Sequence, residues 1–307
     1  MVGGPPLRAV PAPPLTDAKA NHVSALSYLD SIILGIVEGV TEYLPVSSTG
    51  HLTIAEKMLG LPIDDPAITS FTAVIQLGAI LATLIYFWGK IKAMFLAWVA
   101  GLRDPKARER QDYSLAWAVI VGSIPVVVAA LLFKDLIKGP LRSLWVVAGA
   151  LILWSIVIWA GERYHARLVA AGQDRPEGSR VTVKDGVIIG LMQCFSLVPG
   201  VSRSGTTITA GLFRGLDRVT ATELSFFMAI PALVGAGLYE LKDVNTSVVG
   251  LGQLAVGTIV SFVVAYASIA WLLKFVKNNS LMFFVSWRVL VGAAVLVALA
   301  AGWMSAT

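Results

Sequence analysis

Gly35-Ile-Val-Glu-Gly-Val-Thr-Glu-Tyr-Leu-Pro-Val-Ser-Ser-Thr-Gly-His51 gathers two carboxylates, a cluster of hydroxyls and a histidine in a chain that is otherwise mostly apolar. Glu38 and Glu42 are four residues apart and so share one face of a helix. Pro45 interrupts that helix, because it has no N–H to donate and its ring clashes with the preceding turn. Ser47, Ser48, Thr49 and Gly50 then suit the exposed N-terminus of a new helix. Such a terminus presents free N–H groups and a partial positive charge, a cradle for phosphate. Acid groups beside an anion site imply a metal between them or proton transfer.

The surrounding composition sets the class. Of 307 residues, 56% are hydrophobic and 14% charged, against about 25% charged in soluble domains. Several apolar runs approach the roughly 20 residues that cross a bilayer as a helix. The chain therefore reads as an all-α polytopic membrane protein. Its net charge of +5 does not point to nucleic acid, since no basic arm or aromatic-basic surface accompanies it. In a membrane protein such an excess reflects cytoplasmic loops. The single cysteine, Cys194, excludes an intrachain disulfide and a cysteine-based zinc site, and reads as a small buried apolar residue. Residues 1–24 are rich in Pro, Gly and Ala and read as a disordered leader, without the apolar core of a signal peptide.

Downstream of the leader, neither Leu26–Leu44 nor His51–Leu61 comfortably spans a membrane alone. Together they read as a re-entrant helix–loop–helix hairpin, 26–61, since irregular backbone at membrane depth is tolerated where protein or a water-filled cavity surrounds it. Full crossings follow at Ile68–Trp88, Leu115–Phe133 and Leu144–Ala160, with an interfacial helix at Ile91–Leu102 and a bend at Pro125. Gly161–Lys184 reads as a polar connection, its core 163–184 on the cytoplasmic side. The pattern then starts again. At a fixed offset of 155, Asp30, Ile33, Gly35, Val46, Ser47, Gly50 and Ala55 meet identical residues, from Asp185 to Ala210. At a different offset, Val121-Gly-Ser-Ile124 resembles Val256-Gly-Thr-Ile259. This is an internal duplication, with a first repeat over 25–162 and a second over 185–307. The second hairpin covers 185–215, and its crossings are Glu223–Leu241, Leu254–Phe275 and Leu281–Trp303.

A hairpin returns to its starting side, and three crossings are odd in number, so the second repeat starts on the opposite face. The expected fold is an inverted-topology repeat of about six transmembrane helices plus two re-entrant hairpins whose tips meet near the midplane. Loop charges on the two sides number fifteen against seven, which places the richer side in the cytoplasm. The first hairpin then opens to the outer face. The 28 glycines permit close helix packing or a homodimer without specifying one.

Arg203, in Pro199-Gly-Val-Ser-Arg-Ser-Gly-Thr-Thr207, lies at membrane depth, where an arginine is costly and is paired or functional. Its planar fork suits bidentate phosphate binding. With Ser202, Ser204, Thr206 and Thr207 it makes a second anion site, alongside Ser47 and Thr49 on the first tip. The plainer alternative is an arginine that ion-pairs Glu38 or Glu42 to join the hairpins. Glu38 and Glu42 read as a Mg²⁺ or Ca²⁺ pair or a general-base pair; two carboxylates lining a cation path are the alternative. His51 stands as general acid, nucleophile or hydrogen-bond donor, and Ser47 or Ser48 as helix cap or nucleophile. Gln193, matching Glu38, adds a hydrogen-bonding group. His22 and His165 read as solvated, and Arg288 as an interfacial or packing residue.

Glu38-x-x-x-Glu42 with Leu-Pro-Val-Ser-Ser-Thr-Gly-His51, and Pro199-Gly-x-Ser-Arg-Ser-Gly-x-Thr207, resemble the signature segments of the bacterial undecaprenyl-diphosphate phosphatases, the bacitracin-resistance family. The resemblance covers essentially the whole chain after the leader. It implies a divalent-cation-dependent hydrolase of the bacterial inner membrane, acting at the outer face. Its substrate would be a polyprenyl diphosphate lipid, recycled to the monophosphate carrier for cell-wall synthesis. Carried over, Glu38, Glu42, Ser48, His51, Ser202, Arg203 and Thr207 form the site, with catalytic work on Glu42, Ser48, His51 and Arg203. Ser48 or a metal-bound water would attack the terminal phosphorus. The rival class is a transporter of lipid phosphates, since inverted repeats with broken helices mark such proteins.

Overall fold

A computed structural model describes residues 26–63, 65–240 and 249–306; the leader 1–24, with His22, lies outside the described residues. Within them the chain forms twelve α-helices and no strand. The expected first repeat holds α1 (Tyr28–Thr41), α2 (Ser48–Met58), α3 (Pro66–Tyr86), α4 (Trp88–Arg103), α5 (Gln111–Leu132), α6 (Lys134–Lys138) and α7 (Leu144–Ala170), the last running past its expected end at 162. The second holds α8 (Val183–Gln193), α9 (Arg203–Phe213), α10 (Arg218–Glu240), α11 (Leu251–Asn278) and α12 (Met282–Ala300). Six of these, α3, α5, α7, α10, α11 and α12, are long and apolar enough to cross a membrane. The chain is a multi-pass, all-helical membrane protein.

Helix starts repeat at the offset of 155. Ser27 and Asp30 form a capping box on α1, in which each side chain takes the other's backbone N–H. Thr182 and Asp185 form the same box on α8. Each box satisfies two of the N–H groups that the first helical turn leaves without partners. The 14 residues of α1 and 11 of α2 are too few for either helix to cross alone at about 1.5 Å per residue. Both instead lean on longer helices.

That leaning is exchanged between the repeats. α1 packs along α11, and α8 packs along α5. Glycine makes both approaches possible: a Cβ on Gly35 would lie 2.7 Å from the carbonyl oxygen of Gly257. A Cβ on Gly190 would overlap the carbonyl of Gly122. Gly35 and Gly190 are equivalent positions, and so are Gly122 and Gly257 in the two Val-Gly-(Ser/Thr)-Ile segments. One backbone contact is thus made twice, which is how a duplicated sequence expresses itself in packing.

Two expectations change. α7 runs on from the apolar stretch to Ala170, so His165 lies on a helix and is buried rather than solvated. The reason is a cluster built on Glu162, which accepts from Arg218 Nη2 at 2.6 Å and from the backbone N–H of Leu281 at 2.9 Å. It ties the end of α7 to the starts of α10 and α12. Cys194 is half-buried at the end of α8, not fully inside.

Replacing Gly190 by Ala should cost about 1–3 kcal/mol, as overpacking of a tight contact does. Gly89→Ala in α4, where nothing lies within 4 Å of the added carbon, should be neutral or mildly stabilising. Thermal unfolding of the two variants in detergent checks the difference.

Candidate active site

α1 ends in a loop that carries Glu42 into the protein interior, with Glu42 as its C-cap. The loop then passes through Ser47 at φ 79°. The corresponding residue before α9 is Ser202, at φ 81°. These are the two non-glycine residues with positive φ among the described residues. A left-handed conformation costs such a residue of order 1–3 kcal/mol and persists only where surroundings enforce it. Each serine hydroxyl caps its helix: Ser47 Oγ accepts from Gly50 N–H at 3.3 Å and Ser202 Oγ from Gly205 N–H at 3.0 Å. The turns present Ser48 and Arg203 as the first residues of α2 and α9.

The two tips touch. Arg203 Nη2 donates to Glu42 Oε1 at 2.7 Å, and Ser204 Oγ donates to the Leu44 carbonyl at 2.8 Å. The other Glu42 oxygen, Oε2, accepts from Ser48 Oγ at 2.5 Å and from Gln76 Nε2 at 3.2 Å. A short hydroxyl-to-carboxylate bond of this kind is the arrangement of a nucleophile beside its base. Arg203 is aimed by Nη1, which donates to the Ser225 carbonyl at 3.0 Å. Its guanidinium also lies 5.8 Å from the ring centre of Tyr43, within range of a cation–π contact.

These groups form the floor of a cavity of about 600 Å³. Glu42, Ser47, Ser48, Thr49, Gln76, Gln193, Ser202 and Arg203 supply the polar end. Above it the walls turn apolar: Val126, Val127, Ala130 and Leu131 of α5 beyond Pro125, and Ala232, Leu233 and Ala236 of α10 beyond Pro231. Lys134, Asp135, Tyr239 and Glu240 stand at the far end. The cavity has the polarity of a lipid with an anionic head.

Beneath the loops lies Arg288 of α12, fully buried, so that of its two readings the interfacial one is corrected and the packing one stands. Its Nη2 donates to the Gly200 carbonyl at 2.9 Å and its Nη1 to the Pro45 carbonyl at 3.5 Å. Nε donates to Ser155 Oγ at 3.2 Å. Pro45 and Gly200 are equivalent positions of the two repeats, so one guanidinium grips the same carbonyl in both tips.

Residues 31–294 match the family described as bacitracin resistance protein BacA. The chain belongs to the BacA family. Among its relatives, undecaprenyl-diphosphatase 1 of Streptomyces coelicolor is 52% identical over 271 residues, 88% of this chain and 95% of the relative. Undecaprenyl-diphosphatase 3 of Frankia casuarinae is 50% identical over 285 residues, 92% of this chain and 100% of the relative. The undecaprenyl-diphosphatase of Mycolicibacterium smegmatis is 47% identical over 286 residues, 92% and 100% respectively.

Within this BacA-family fold, Glu42, Ser47, Ser48, Thr49, Ser202 and Arg203 meet at one cavity. Ser204, Thr206 and Thr207 do not line it. Ser204 joins the tips. Thr206 bonds back to the Ser202 carbonyl at 2.8 Å, and Thr207 holds Ser225 Oγ at 2.7 Å, the usual fate of hydroxyls inside helices. His51 also lies off the cavity, its nitrogens within 2.9 Å of the Ser47 carbonyl and of Trp287 Nε1. Gln76, Ser225, Trp287 and Arg288 carry contacts that no local motif announces. Arg203 pairs with Glu42, so the plainer reading of it holds alongside the anion-binding one.

Glu38 is fully buried, and neither of its carboxylate oxygens has a hydrogen-bond partner among the described residues. Buried polar groups are rarely left so. The donors hereabouts are carboxylate, hydroxyl and amide oxygens, which suit a hard cation. No group of three or more His, Cys, Asp or Glu side chains occurs among the described residues. A cation held by Glu38 and Glu42 would thus draw its remaining ligands from water and phosphate, as Mg²⁺ does.

Arg288→Met should lower stability by about 1–3 kcal/mol for each carbonyl left bare and reduce activity without touching any cavity residue. Melting temperature and turnover of the purified variant test both.

Proposed function

We propose that this chain is an undecaprenyl-diphosphatase that removes the terminal phosphate of undecaprenyl diphosphate, leaving the monophosphate lipid carrier for cell-wall synthesis. The observation that carries this reading is the Ser48–Glu42–Arg203 array at the polar end of an otherwise apolar cavity. A channel for lipid phosphates needs anion donors but has no use for a serine hydroxyl bonded to a buried carboxylate, which argues for chemistry over transport.

The diphosphate enters head first, with its proximal prenyl units against the α5 and α10 walls. Arg203 and the N-termini of α2 and α9 receive its oxygens and offset charge that grows as the bridging bond breaks. Arg203 Nε, buried and without a partner among the described residues, is a donor available for this. Ser48 Oγ attacks the terminal phosphorus and passes its proton to Glu42 Oε2. The bond from that phosphorus to the bridging oxygen breaks, and undecaprenyl phosphate departs with that oxygen. That departing oxygen takes the proton from Glu42. Water, deprotonated in turn by Glu42, attacks the phosphorus held on Ser48. The bond to Ser48 Oγ breaks, Oγ taking the proton back from Glu42 as inorganic phosphate leaves. Glu38 and Glu42 would hold a divalent cation, which supplies positive charge to the diphosphate oxygens when bound.

The same reading places the protein in the bacterial inner membrane. The cavity's far end lies beside Lys134 and Glu240, at the C-terminal ends of α5 and α10. The cation-rich loops lie at their N-terminal ends, which supports an opening toward the outer face.

Purified protein in detergent should release phosphate from a polyprenyl diphosphate only with Mg²⁺ or Ca²⁺ added, and Glu42→Gln should fall by about 10²–10⁴-fold, the range for loss of a catalytic base. No release with either cation sinks the enzyme reading. Serine attack is tested separately by a single turnover in ¹⁸O-water with Ser48→Ala for comparison, since near-normal turnover of that variant excludes it.

A further inference from the structure

We infer that Trp287 and His51 form a fixed hydrogen-bond relay that clamps the Ser47 carbonyl and so aims Ser48, making both positioning residues rather than proton carriers. This rests on the phosphatase reading for its activity test but not for its geometry.

The tautomer follows from donor chemistry. An indole N–H only donates. Trp287 Nε1 lies 2.9 Å from His51 Nε2, and the two ring planes are 13° apart, which an in-plane N–H···N bond permits. His51 Nε2 is therefore the acceptor. The imidazole proton sits on Nδ1, which donates to the Ser47 carbonyl at 2.9 Å. With both nitrogens committed and the ring outside the cavity lining, His51 has neither a free nitrogen nor a path to the substrate phosphate.

What the relay holds is worth holding. Ser47 is one of the two left-handed serines, and it precedes Ser48, whose hydroxyl must keep its 2.5 Å bond to Glu42. The other tip makes the same four-residue bond with an ordinary helical hydroxyl. The residue equivalent to His51 is Thr206, and its Oγ1 donates to the Ser202 carbonyl at 2.8 Å. Ser202 is the other left-handed serine. The same strained turn is thus clamped by the same four-residue side-chain bond in both tips. In one tip the clamp is a threonine, which carries no proton at neutral pH that could serve as acid or base.

The test exchanges the clamp. His51→Thr imports the donor used in the second repeat, and His51→Val keeps its shape without the hydroxyl. Expected is turnover of His51→Thr within about tenfold of the parent and of His51→Val at least about 100-fold below it, the scale of a misplaced reacting group. Equal loss in both overturns the proposal, because an acid–base role would fail alike in each. A second measurement does not need activity. In ¹⁵N-histidine-labelled parent protein, His51 should show a protonated Nδ1 and a bare Nε2, and Trp287→Phe should shift the Nε2 resonance. A cationic or Nε2-protonated ring, or an unmoved resonance, overturns it. If the parent itself releases no phosphate, the phosphatase reading fails, and the ¹⁵N spectrum still decides the relay.

Discussion

The carbonyls of Pro45 and Gly200 point at one guanidinium, and the rest of the site hangs from that arrangement. Arg288 donates to both and, among the described residues, has no carboxylate as a hydrogen-bond partner. It is held by carbonyl and hydroxyl oxygens, so the charge is shared with backbone dipoles rather than cancelled. A buried cation solvated in this way is tolerable only if its acceptors stay put. The dependence runs in both directions: the loops fix the arginine and the arginine fixes the loops. Above it, the left-handed serines turn the chain so that Ser48 and Arg203 open their helices toward each other. Glu42 then sits between them, one oxygen on each.

The two tips are alike in backbone and unlike in chemistry. Equivalent positions carry Glu38 and Gln193, Ser48 and Arg203, His51 and Thr206. The shared features are those that make the turn: the capping serine, the glycine three residues on, the side-chain clamp on the carbonyl. Glu38 against Gln193 and Ser48 against Arg203 are where the tips differ in charge and chemistry. A symmetric scaffold therefore yields an asymmetric site, with the acid on one tip and the arginine on the other, and their contact closes the floor of the cavity.

Much of this was legible beforehand, for identifiable reasons. Apolar runs of membrane length mark the six long helices, and the repeat is visible because Ser47, Gly50 and their copies must recur to rebuild the same turn. The motif residues declare themselves by being polar in an apolar chain. What the sequence hides is direction. Thr206 and Thr207 have the right chemistry for phosphate, yet helical hydroxyls spend it on the preceding turn. Arg288 stands in an apolar span with no motif around it, and its partners come from residues 45, 155 and 200. Gln76 and Trp287 are ordinary span residues until the fold brings them to Glu42 and His51. His165 reads as solvated in the sequence because α7 outlasts its apolar stretch, and a charged segment then looks like a loop.

The exchanged docking of the hairpins also governs how the protein comes into being. α1 closes its glycine-lined contact against α11, which lies more than two hundred residues later in the chain. During synthesis, which delivers the N-terminal part first, α1 emerges with Glu38 and Glu42 but without the surface meant to cover it. α8, by contrast, meets α5 as soon as it is made. The first hairpin must wait for nearly the whole polypeptide, and so must Glu42 and Ser48, which it carries. The chemistry therefore becomes competent only at the end of translation, when α11 and then Arg288 arrive to seat the tip.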